Sequence, residues 1–286
     1  MSRRRIGITL GDVAGIGPEI VAKALASGLL DKRFDYEVIG DPKTKRRADA
    51  VDWVVQSARR CLSGELAALV TAPISKKLLR EAGYRFEGHT ELLAHIARTN
   101  RFAMMLVGGP LRVALATIHV PLAKVPRLLS TKRIAEVIEL SDDACKRLGI
   151  ARPRIGVAGL NPHAGEGGLL GDEERRIITP AIRRAARKSI DATGPWPADT
   201  LFHKAYHGEF DAVVAMYHDQ GLAPLKMIAF DTGVNLTLGL PFVRTSPDHG
   251  TAFDIAGKGI AKPDSLIAAI NLAAQLSETR KGRRNP

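Results

Sequence analysis

Short apolar runs alternate along the chain with longer segments in which apolar residues recur every three or four positions. The short runs predict β-strands and the longer segments predict α-helices. Because the two kinds of segment alternate, the pattern favours a mainly parallel sheet covered by helices on both faces. The predicted strands span residues 5–10, 36–40, 67–72, 103–107, 112–119, 154–159, 211–218 and 234–238, and the predicted helices span residues 18–29, 48–63, 91–98, 131–148, 173–187 and 264–276.

Two neighbouring apolar runs, "MMLVGG" (104–109) and "VALATIHVPL" (113–122), are placed to form an antiparallel pair where one lobe passes into another. No linker-like stretch separates the halves of the chain, so the lobes are expected to interleave. The predicted fold class is therefore α/β with two interleaved lobes and a mainly parallel sheet. Residues 1–120 with 250–286 form the first predicted lobe, and residues 121–249 form the second.

The chain has 286 residues, 45% of them hydrophobic, which is enough to bury a sizeable core. Its 42 basic and 30 acidic residues give a net charge of +12. The basic runs are scattered, and no aromatic residues interleave with them to stack on bases, so nucleic acid is not an expected partner. These runs are interpreted as solvated faces and a frayed tail whose field attracts anionic substrates. They are "RRR" (3–5), "KTKRR" (43–47), "RRAARK" (183–188) and "RKGRR" (280–284).

Nothing in the sequence predicts contact with a membrane. No stretch approaches the roughly 20 apolar residues of a transmembrane helix, and the apolar run after the basic N-terminus is too short for a secretory signal. Cys61 and Cys145 stand alone, without the spacing of a zinc ribbon or a disulfide framework. The sequence therefore predicts a cytoplasmic protein with reduced thiols.

Three histidines follow predicted strands: His119 ends "RVALATIH", His163 follows "RIGVAGLNP" and His218 ends "DAVVAMY". In open α/β sheets, ligands bind beyond the carboxyl ends of the strands. Each histidine taken alone is more typical of a structural residue. Together the three could hold one divalent cation and leave positions open for a substrate oxygen, as in a catalytic metal site.

Two glycine-rich stretches follow predicted strands. "GDVAGIGPEI" (11–20) opens a helix with Pro18 and Glu19 in its first turn, but its spacing is not that of a dinucleotide-binding motif, and a tight strand-to-helix turn explains it equally well. "GLNPHAGEGGLLGDEE" (159–174) is long enough to fold over a ligand, although a mobile surface loop would look similar.

A further group of residues suits an anionic ligand. In "GHTE" (88–91), Thr90 is predicted to cap a helix whose free amides can receive a phosphate or carboxylate, with His89 just before it. In "DAVVAMYHDQGLAPLK" (211–226), a glycine and proline loop is predicted between His218 and Lys226. Lys226, Asn235 and Arg244 are interpreted either as surface residues or as a convergent anion site.

The ordered motifs "GDVAGIGPE", "TAPISK", "GHTE", "VALATIH", "LNPHAGEGG", "GDEE", "YHDQGLAPLK" and "GVNLTLGLPFVRTSPDHGTAFDIAGKG" resemble those of the 4-hydroxythreonine-4-phosphate dehydrogenase family of pyridoxal phosphate synthesis. The resemblance covers nearly the whole chain. It implies an isocitrate/isopropylmalate dehydrogenase-like fold and a homodimer with a shared active site, with much of the interface on the second lobe. It also implies NAD-dependent oxidation of a secondary alcohol followed by decarboxylation, from 4-hydroxythreonine 4-phosphate to 3-amino-2-oxopropyl phosphate.

The same resemblance assigns roles to individual residues. His119, His163 and His218 match the family's metal ligands, with one of the three arriving from the partner subunit. The matching substrate-binding positions are His89, Thr90, Lys226, Asn235 and Arg244. The resemblance does not identify the ion, for which zinc, cobalt, nickel, iron, manganese and magnesium are all candidates.

The segment "HGTAFDIAGKGIAKP" (249–263) is similar to the adenosine-binding loop of isopropylmalate dehydrogenases. This similarity implies that Gly250, Asp254 and Ile255 bind the cofactor, with Asp254 accepting hydrogen bonds from the ribose hydroxyls. A carboxylate there would repel a 2′-phosphate, so NAD is predicted rather than NADP.

The implied mechanism uses the charge of the ion to lower the pKa of the substrate hydroxyl during hydride transfer and then to polarise the ketone for loss of carbon dioxide. Asp219 and Asp199 are candidates for orienting the ligands or relaying a proton. The residues themselves do not distinguish between these two roles.

Two departures from the family pattern leave the substrate open. Only "DPKTKRR" (41–47) stands where family members usually carry several dozen more residues, and Val13 replaces the usual proline. Relatives that act on 4-phospho-threonate or 4-phospho-erythronate, or on cyclic dihydrodiols, carry motifs of the same kind. The alternative from another class is a non-catalytic protein that binds a metal or nucleic acid.

Overall fold

The computed structural model of the protein describes residues 3–86 and 88–278. The tail run "RKGRR" (280–284) lies outside the described residues. The strands are β1 (Arg4–Thr9), β2 (Phe34–Ile39), β3 (Ala68–Thr71), β4 (Ala103–Gly108), β5 (Leu111–Leu115), β6 (Arg154–Ala158), β7 (Asp191–Trp196), β8 (Ala212–Ala215), β9 (Val234–Leu238) and β10 (Val243–Pro247). The helices are α1 (Gly17–Ala26), α2 (Asp49–Leu62), α3 (Lys76–Glu81), α4 (His89–Ile96), α5 (Val125–Leu128), α6 (Thr131–Arg147), α7 (Thr179–Ala186), α8 (Ala198–Tyr206), α9 (His218–Ala229) and α10 (Asp264–Glu278).

The chain forms two compact units, residues 1–100 with 231–286 and residues 101–230. The predicted lobes divide the chain later, after residues 120 and 249. The units divide earlier because β4 pairs with β5, which pairs with β8, and because β9 pairs with β10, which pairs with β3.

The first unit carries strands in the order β2-β1-β3-β10-β9. All its neighbouring pairs are parallel except β10 and β9. Helix α2 packs on β1 and β3, and α10 packs on β10, β3 and β9. Val51, Val54 and Ile270 of these helices are fully buried, as are Ile6 and Ile8 of β1. The apolar faces of the helices thus cover the strands and leave the strand ends for polar residues.

The second unit carries strands in the order β4-β5-β8-β6-β7. Only β4 and β5 are antiparallel, as the sequence predicts for this pair. Helices α8 and α9 pack on the strands through a cluster that includes Leu201, Leu222 and Leu225. The parallel strands end at the same edge, which brings the segments that follow them together.

The glycine and proline loop predicted between His218 and Lys226 is wrong, because these residues form α9 with Pro224 inside the helix. Gly221 explains why a helix fits there. A Cβ at Gly221 would lie 2.8 Å from Val113 and 2.9 Å from Leu115, so only glycine lets the helix approach β5 so closely.

No helix in the described parts of the chain combines the length and apolar character needed to cross a bilayer.

Candidate functional site

The structure brings His119 and His218 together at one edge of the second unit. Parallel β5 and β8 end at Leu115 and Ala215, and the chains that leave them stay paired, since the amide of Thr117 donates to the carbonyl of Met216 at 3.2 Å. The Thr117 hydroxyl donates to the same carbonyl at 2.8 Å. The two imidazole rings lie 5.5 Å apart between centroids. This spacing places two imidazole rings, each with a nitrogen that could bind a metal ion, at the same edge of the strands.

A carboxylate contacts the Nδ1 atom of two of the three predicted metal ligands. Nδ1 of His218 lies 2.7 Å from Oδ1 of Asp219, and Nδ1 of His163 lies 2.7 Å from Oε2 of Glu166. Such a carboxylate holds the proton on Nδ1 and leaves Nε2 as the metal-binding nitrogen, which is the usual outer-shell arrangement of metal-ligating histidines. The chemistry of this donor set therefore fits a divalent cation.

The loop that carries His163 has a left-handed backbone from His163 to Gly167. Residues other than glycine pay a steric cost there, of roughly 1–2 kcal/mol each, so the surroundings must hold the loop in place. The buried carboxylate of Glu174 does so by accepting hydrogen bonds from the amides of Leu160 and Asn161, both at 2.8 Å. Sequence reasoning missed Glu174 and Glu166, because acidic residues near a helix start are common for dipole reasons alone.

His163 is exposed. Its pKa is raised mainly by the hydrogen bond to Glu166, and the negative charges of Glu166 and Asp199 raise it further. Asp199 lies in the first turn of α8, where its carboxylate accepts a hydrogen bond from the amide of Thr200. Within residues 3–86 and 88–278 of a single chain, no group of three acidic, histidine or cysteine side chains is placed to hold a metal ion. A complete three-histidine site stays a prediction that includes the partner subunit.

The first unit contains a buried cation, Arg244, on β10. Its side chain is 2% exposed, and its guanidinium donates to the hydroxyls of Thr71 on β3 at 2.6 and 3.2 Å and of Thr237 on β9 at 3.0 Å. Burial lowers the pKa of Arg244 to about 10, against the opposing charge of Glu91. The group therefore stays positively charged at neutral pH, and it forms no ion pair among the described residues.

Two more predicted substrate residues of this unit have buried polar atoms without hydrogen-bond partners among the described residues: Nε2 of His89 and Oδ1 of Asn235. Buried polar atoms are nearly always paired, so an unpaired one indicates a ligand or water that completes it. Burial lowers the pKa of His89 well below its ordinary value, and the charge of Arg244 acts in the same direction. A neutral ring beside a buried cation is suited to an anionic ligand.

The prediction that Thr90 caps a helix is wrong. Helix α4 begins at His89, Gly88 is the preceding residue with an extended backbone, and Thr90 lies buried in the first turn. Lys226 lies on α9, about two turns beyond His218. Lys226 belongs to the second unit, whereas His89, Asn235 and Arg244 belong to the first, so the convergence of all these residues stays a prediction.

The low pKa of His89 predicts a specific pH dependence of stability. The unfolded chain takes up a proton at this position as the pH falls below about 6.5, whereas the folded chain does so only at lower pH. The free energy of unfolding should therefore fall by up to about 1.4 kcal/mol per pH unit in that window. Thermal unfolding at about pH 7 and about pH 5 should show a smaller loss of Tm in a His89→Gln variant than in the wild type. An equal loss of Tm in both proteins would contradict the lowered pKa of His89 in the folded chain.

The predicted cofactor residues lie in the segment between β10 and α10 of the first unit. This segment docks on α1, where Glu19 accepts a hydrogen bond from the amide of Ala261 at 2.9 Å. Asp254 is exposed and forms no ion pair in the described part of the chain, and a Cβ at Gly250 would meet no atom within 4 Å. Nε2 of His249 is buried without a partner among the described residues. An exposed carboxylate, open space and an unpaired ring nitrogen fit the ribose and adenine of a nucleotide.

The sequence profile described as "Pyridoxal phosphate biosynthetic protein PdxA" matches residues 19–273. The chain is 48% identical to a 4-hydroxythreonine-4-phosphate dehydrogenase of Desulfosudis oleivorans, with 95% of each chain covered. It is 43% identical to a D-threonate 4-phosphate dehydrogenase of Salmonella typhimurium, covering 97% of this chain and 100% of the relative. The crystal structure of a 4-hydroxythreonine-4-phosphate dehydrogenase from Klebsiella pneumoniae superposes with a TM-score of 0.84 at 40% identity, covering 96% of this chain and 100% of that chain.

The Desulfosudis oleivorans alignment is 322 positions long although this chain has 286 residues, so the relative carries residues that this chain lacks. An isocitrate dehydrogenase from Methylococcus capsulatus shares the fold at a TM-score of 0.54 and 16% identity, covering 98% of this chain and 86% of that chain. This likeness, with the Klebsiella pneumoniae structure, confirms the predicted α/β fold class. The profile match and the near full-length relatives show that the chain belongs to the PdxA family of pyridoxal phosphate biosynthetic proteins.

Proposed function

We propose that the protein is a dehydrogenase that uses NAD and a divalent metal ion to oxidise a secondary alcohol on a small phosphorylated substrate. Decarboxylation follows, so that 4-hydroxythreonine 4-phosphate gives 3-amino-2-oxopropyl phosphate. The observation that carries the proposal is the pair of histidine rings 5.5 Å apart at the ends of β5 and β8, in a chain whose relatives are dehydrogenases.

His119, His163 and His218 would hold the ion, one of them from the partner subunit, and its charge would lower the pKa of an alcohol and stabilise negative charge on oxygen. Asp219 and Glu166 orient two of these rings through Nδ1. Asp199 and Asp219 are exposed carboxylates near the histidines and are the candidates for moving the substrate proton.

The anionic end of the substrate is assigned to the buried cation of the first unit. Arg244 offers a charge whose described partners are only neutral hydroxyls, and the unpaired atoms of His89 and Asn235 offer further hydrogen bonds. Lys226 of the second unit is proposed as a further substrate-binding cation, and Thr90, in the first turn of α4, as a further substrate-binding residue. Binding energy gained at a phosphate would thus position the distant hydroxyl.

The cofactor is assigned to the segment between β10 and α10, with Gly250 allowing close approach and Ile255 following Asp254. The exposed Asp254 would accept hydrogen bonds from the ribose hydroxyls and repel a 2′-phosphate, which favours NAD. The proposal includes a homodimer with a shared active site and a cytoplasmic location. Cys61 and Cys145 are buried and form no disulfide, which supports a reducing compartment.

A second candidate function is the oxidation of D-threonate 4-phosphate, which the 43% identical Salmonella typhimurium relative favours. Its substrate also carries a phosphate for Arg244. A relative 28% identical to this chain, from Burkholderia xenovorans, acts on a terephthalate cis-dihydrodiol, so a cyclic diol is a third possibility.

The test is a panel of substrates scored for NADH formation by the purified protein. We expect the most NADH from 4-hydroxythreonine 4-phosphate, which is the proposed substrate, and less from D-threonate 4-phosphate or D-erythronate 4-phosphate. A cyclic dihydrodiol should give the least NADH, because only the phosphorylated compounds engage Arg244. A higher rate with a phosphate-free diol would overturn the phosphate assignment. Salt-sensitive polynucleotide binding without any turnover would instead identify a non-catalytic binder.

A further inference from the structure

Arg47 is the feature of the first unit that neither the family motifs nor the proposed function uses. It lies in the short segment between β2 and α2, where members of the family usually carry several dozen more residues than this chain has. Its guanidinium forms a two-pronged contact with the carboxylate of Asp12, Nε to Oδ1 at 3.0 Å and Nη2 to Oδ2 at 2.5 Å. The Asp12 side chain is 0% exposed and the Arg47 side chain is 43% exposed. Arg47 therefore closes over a buried carboxylate from the solvent side.

Asp12 in turn shapes the glycine-rich turn that follows β1. Its Oδ1 accepts a hydrogen bond from the amide of Ala14 at 3.1 Å, and its carbonyl accepts one from the amide of Gly15 at 2.9 Å. Its own amide donates to the carbonyl of Pro73 at 2.9 Å. The conformation of the turn thus depends on Asp12, whose charge Arg47 compensates.

The same turn contacts the segment assigned to the cofactor. The amide of Ile16 donates to the carbonyl of Thr251 at 2.9 Å, and a Cβ at Gly15 would lie 2.7 Å from that carbonyl. The guanidinium carbon of Arg47 also lies 5.5 Å from the centre of the ring of Phe253, the residue that precedes Asp254 in the sequence. Arg47 is therefore in contact with both the turn and the residue beside the predicted ribose ligand.

We infer that Arg47 is a positioning residue for the nucleotide: it holds the turn after β1 and the segment around Phe253 in the arrangement that presents Asp254 to the ribose. This inference rests on the proposed assignment of NAD to that segment. Without the guanidinium the buried carboxylate loses its ion pair, the turn loosens, and nucleotide binding must supply the free energy of ordering both segments.

The neighbouring arginine provides a matched control. The side chain of Arg46 is 73% exposed, and its ion pairs in the described part of the chain are with Asp49 and Asp52, at 3.5 and 3.9 Å, on the outside of α2. Arg46→Met and Arg47→Met remove the same charge one residue apart. A difference between them in NADH affinity therefore reports the contacts of Arg47 rather than the net charge of the surface.

The experiment measures the dissociation constant of NADH by its fluorescence, together with KM for NAD and for the phosphorylated substrate. Arg47→Met should weaken NADH binding by about tenfold and raise KM for NAD similarly, with KM for the phosphorylated substrate unchanged. Arg46→Met should match the wild type, and Arg47→Lys should recover part of the affinity. If Arg47→Met does not fold, the double variant Asp12→Asn/Arg47→Met, which leaves no buried charge, should show the same weakened binding.

Wild-type NADH affinity in a folded Arg47→Met protein, or in the double variant, would overturn this inference and leave the proposed function intact. A similar loss in Arg46→Met would also overturn it, since the effect would then be one of overall charge. Wild-type protein that binds no NADH would overturn the cofactor assignment and the inference with it.

Discussion

A His218→Ala variant is expected to lose at least about 10³-fold in kcat while remaining folded. His218 is one of the two rings at the shared edge of β5 and β8, and its Nδ1 already contacts Asp219, so the substitution removes a nitrogen, Nε2, that would hold the proposed ion. A metal ion contributes several kcal/mol of charge stabilisation to such a reaction, and each 1.36 kcal/mol corresponds to a factor of ten in rate. The measurement is the rate of NADH formation at saturating NAD and substrate.

The matched control for this substitution is His207→Ala in the same unit. His207 is exposed after α8 and contacts the rings of His203 and Tyr206, away from the strand ends. It should keep the wild-type rate. Wild-type kcat in His218→Ala would remove His218 from the metal site.

The second large effect is expected from Arg244→Met, which should raise KM for the phosphorylated substrate by roughly 10²-fold or more. A buried guanidinium that binds a phosphate makes charge-assisted hydrogen bonds worth about 1.5–3 kcal/mol each. The stability of the protein should change little, because Arg244 has no ion-pair partner among the described residues and methionine fills a similar volume.

Arg60→Met serves as the control, because Arg60 is also an arginine of the first unit but pairs with Glu37 and Glu65. Its loss should lower stability and leave KM unchanged. An unchanged KM in Arg244→Met, with the protein folded, would show that the phosphate binds elsewhere.

The eight strands predicted from the sequence all have counterparts in the structure, and most of them are buried strands that form apolar runs in the sequence. The two missed strands are exceptions to that pattern. β7 contains Gly194 and Pro195 and buries only Ala192, as an edge strand can. β10 contains Arg244, so a buried cation interrupts the apolar run.

The candidate site could be predicted only in part, for related reasons. His119 and His218 follow from the rule that ligands bind beyond strand ends, and the structure brings these two rings together. The contacts of Arg47 with Asp12, and of Glu174 with Leu160 and Asn161, depend on residues brought close by the fold. No spacing in the sequence identifies them.

The proposed function is tested most directly by NADH formation from 4-hydroxythreonine 4-phosphate in protein stripped of metal with a chelator and then resupplied with divalent ions. We expect that stripping abolishes turnover, that one ion per chain restores it, and that the turnover of His218→Ala is not restored. Full turnover in the stripped wild-type protein, with metal content measured on the same sample, would contradict it.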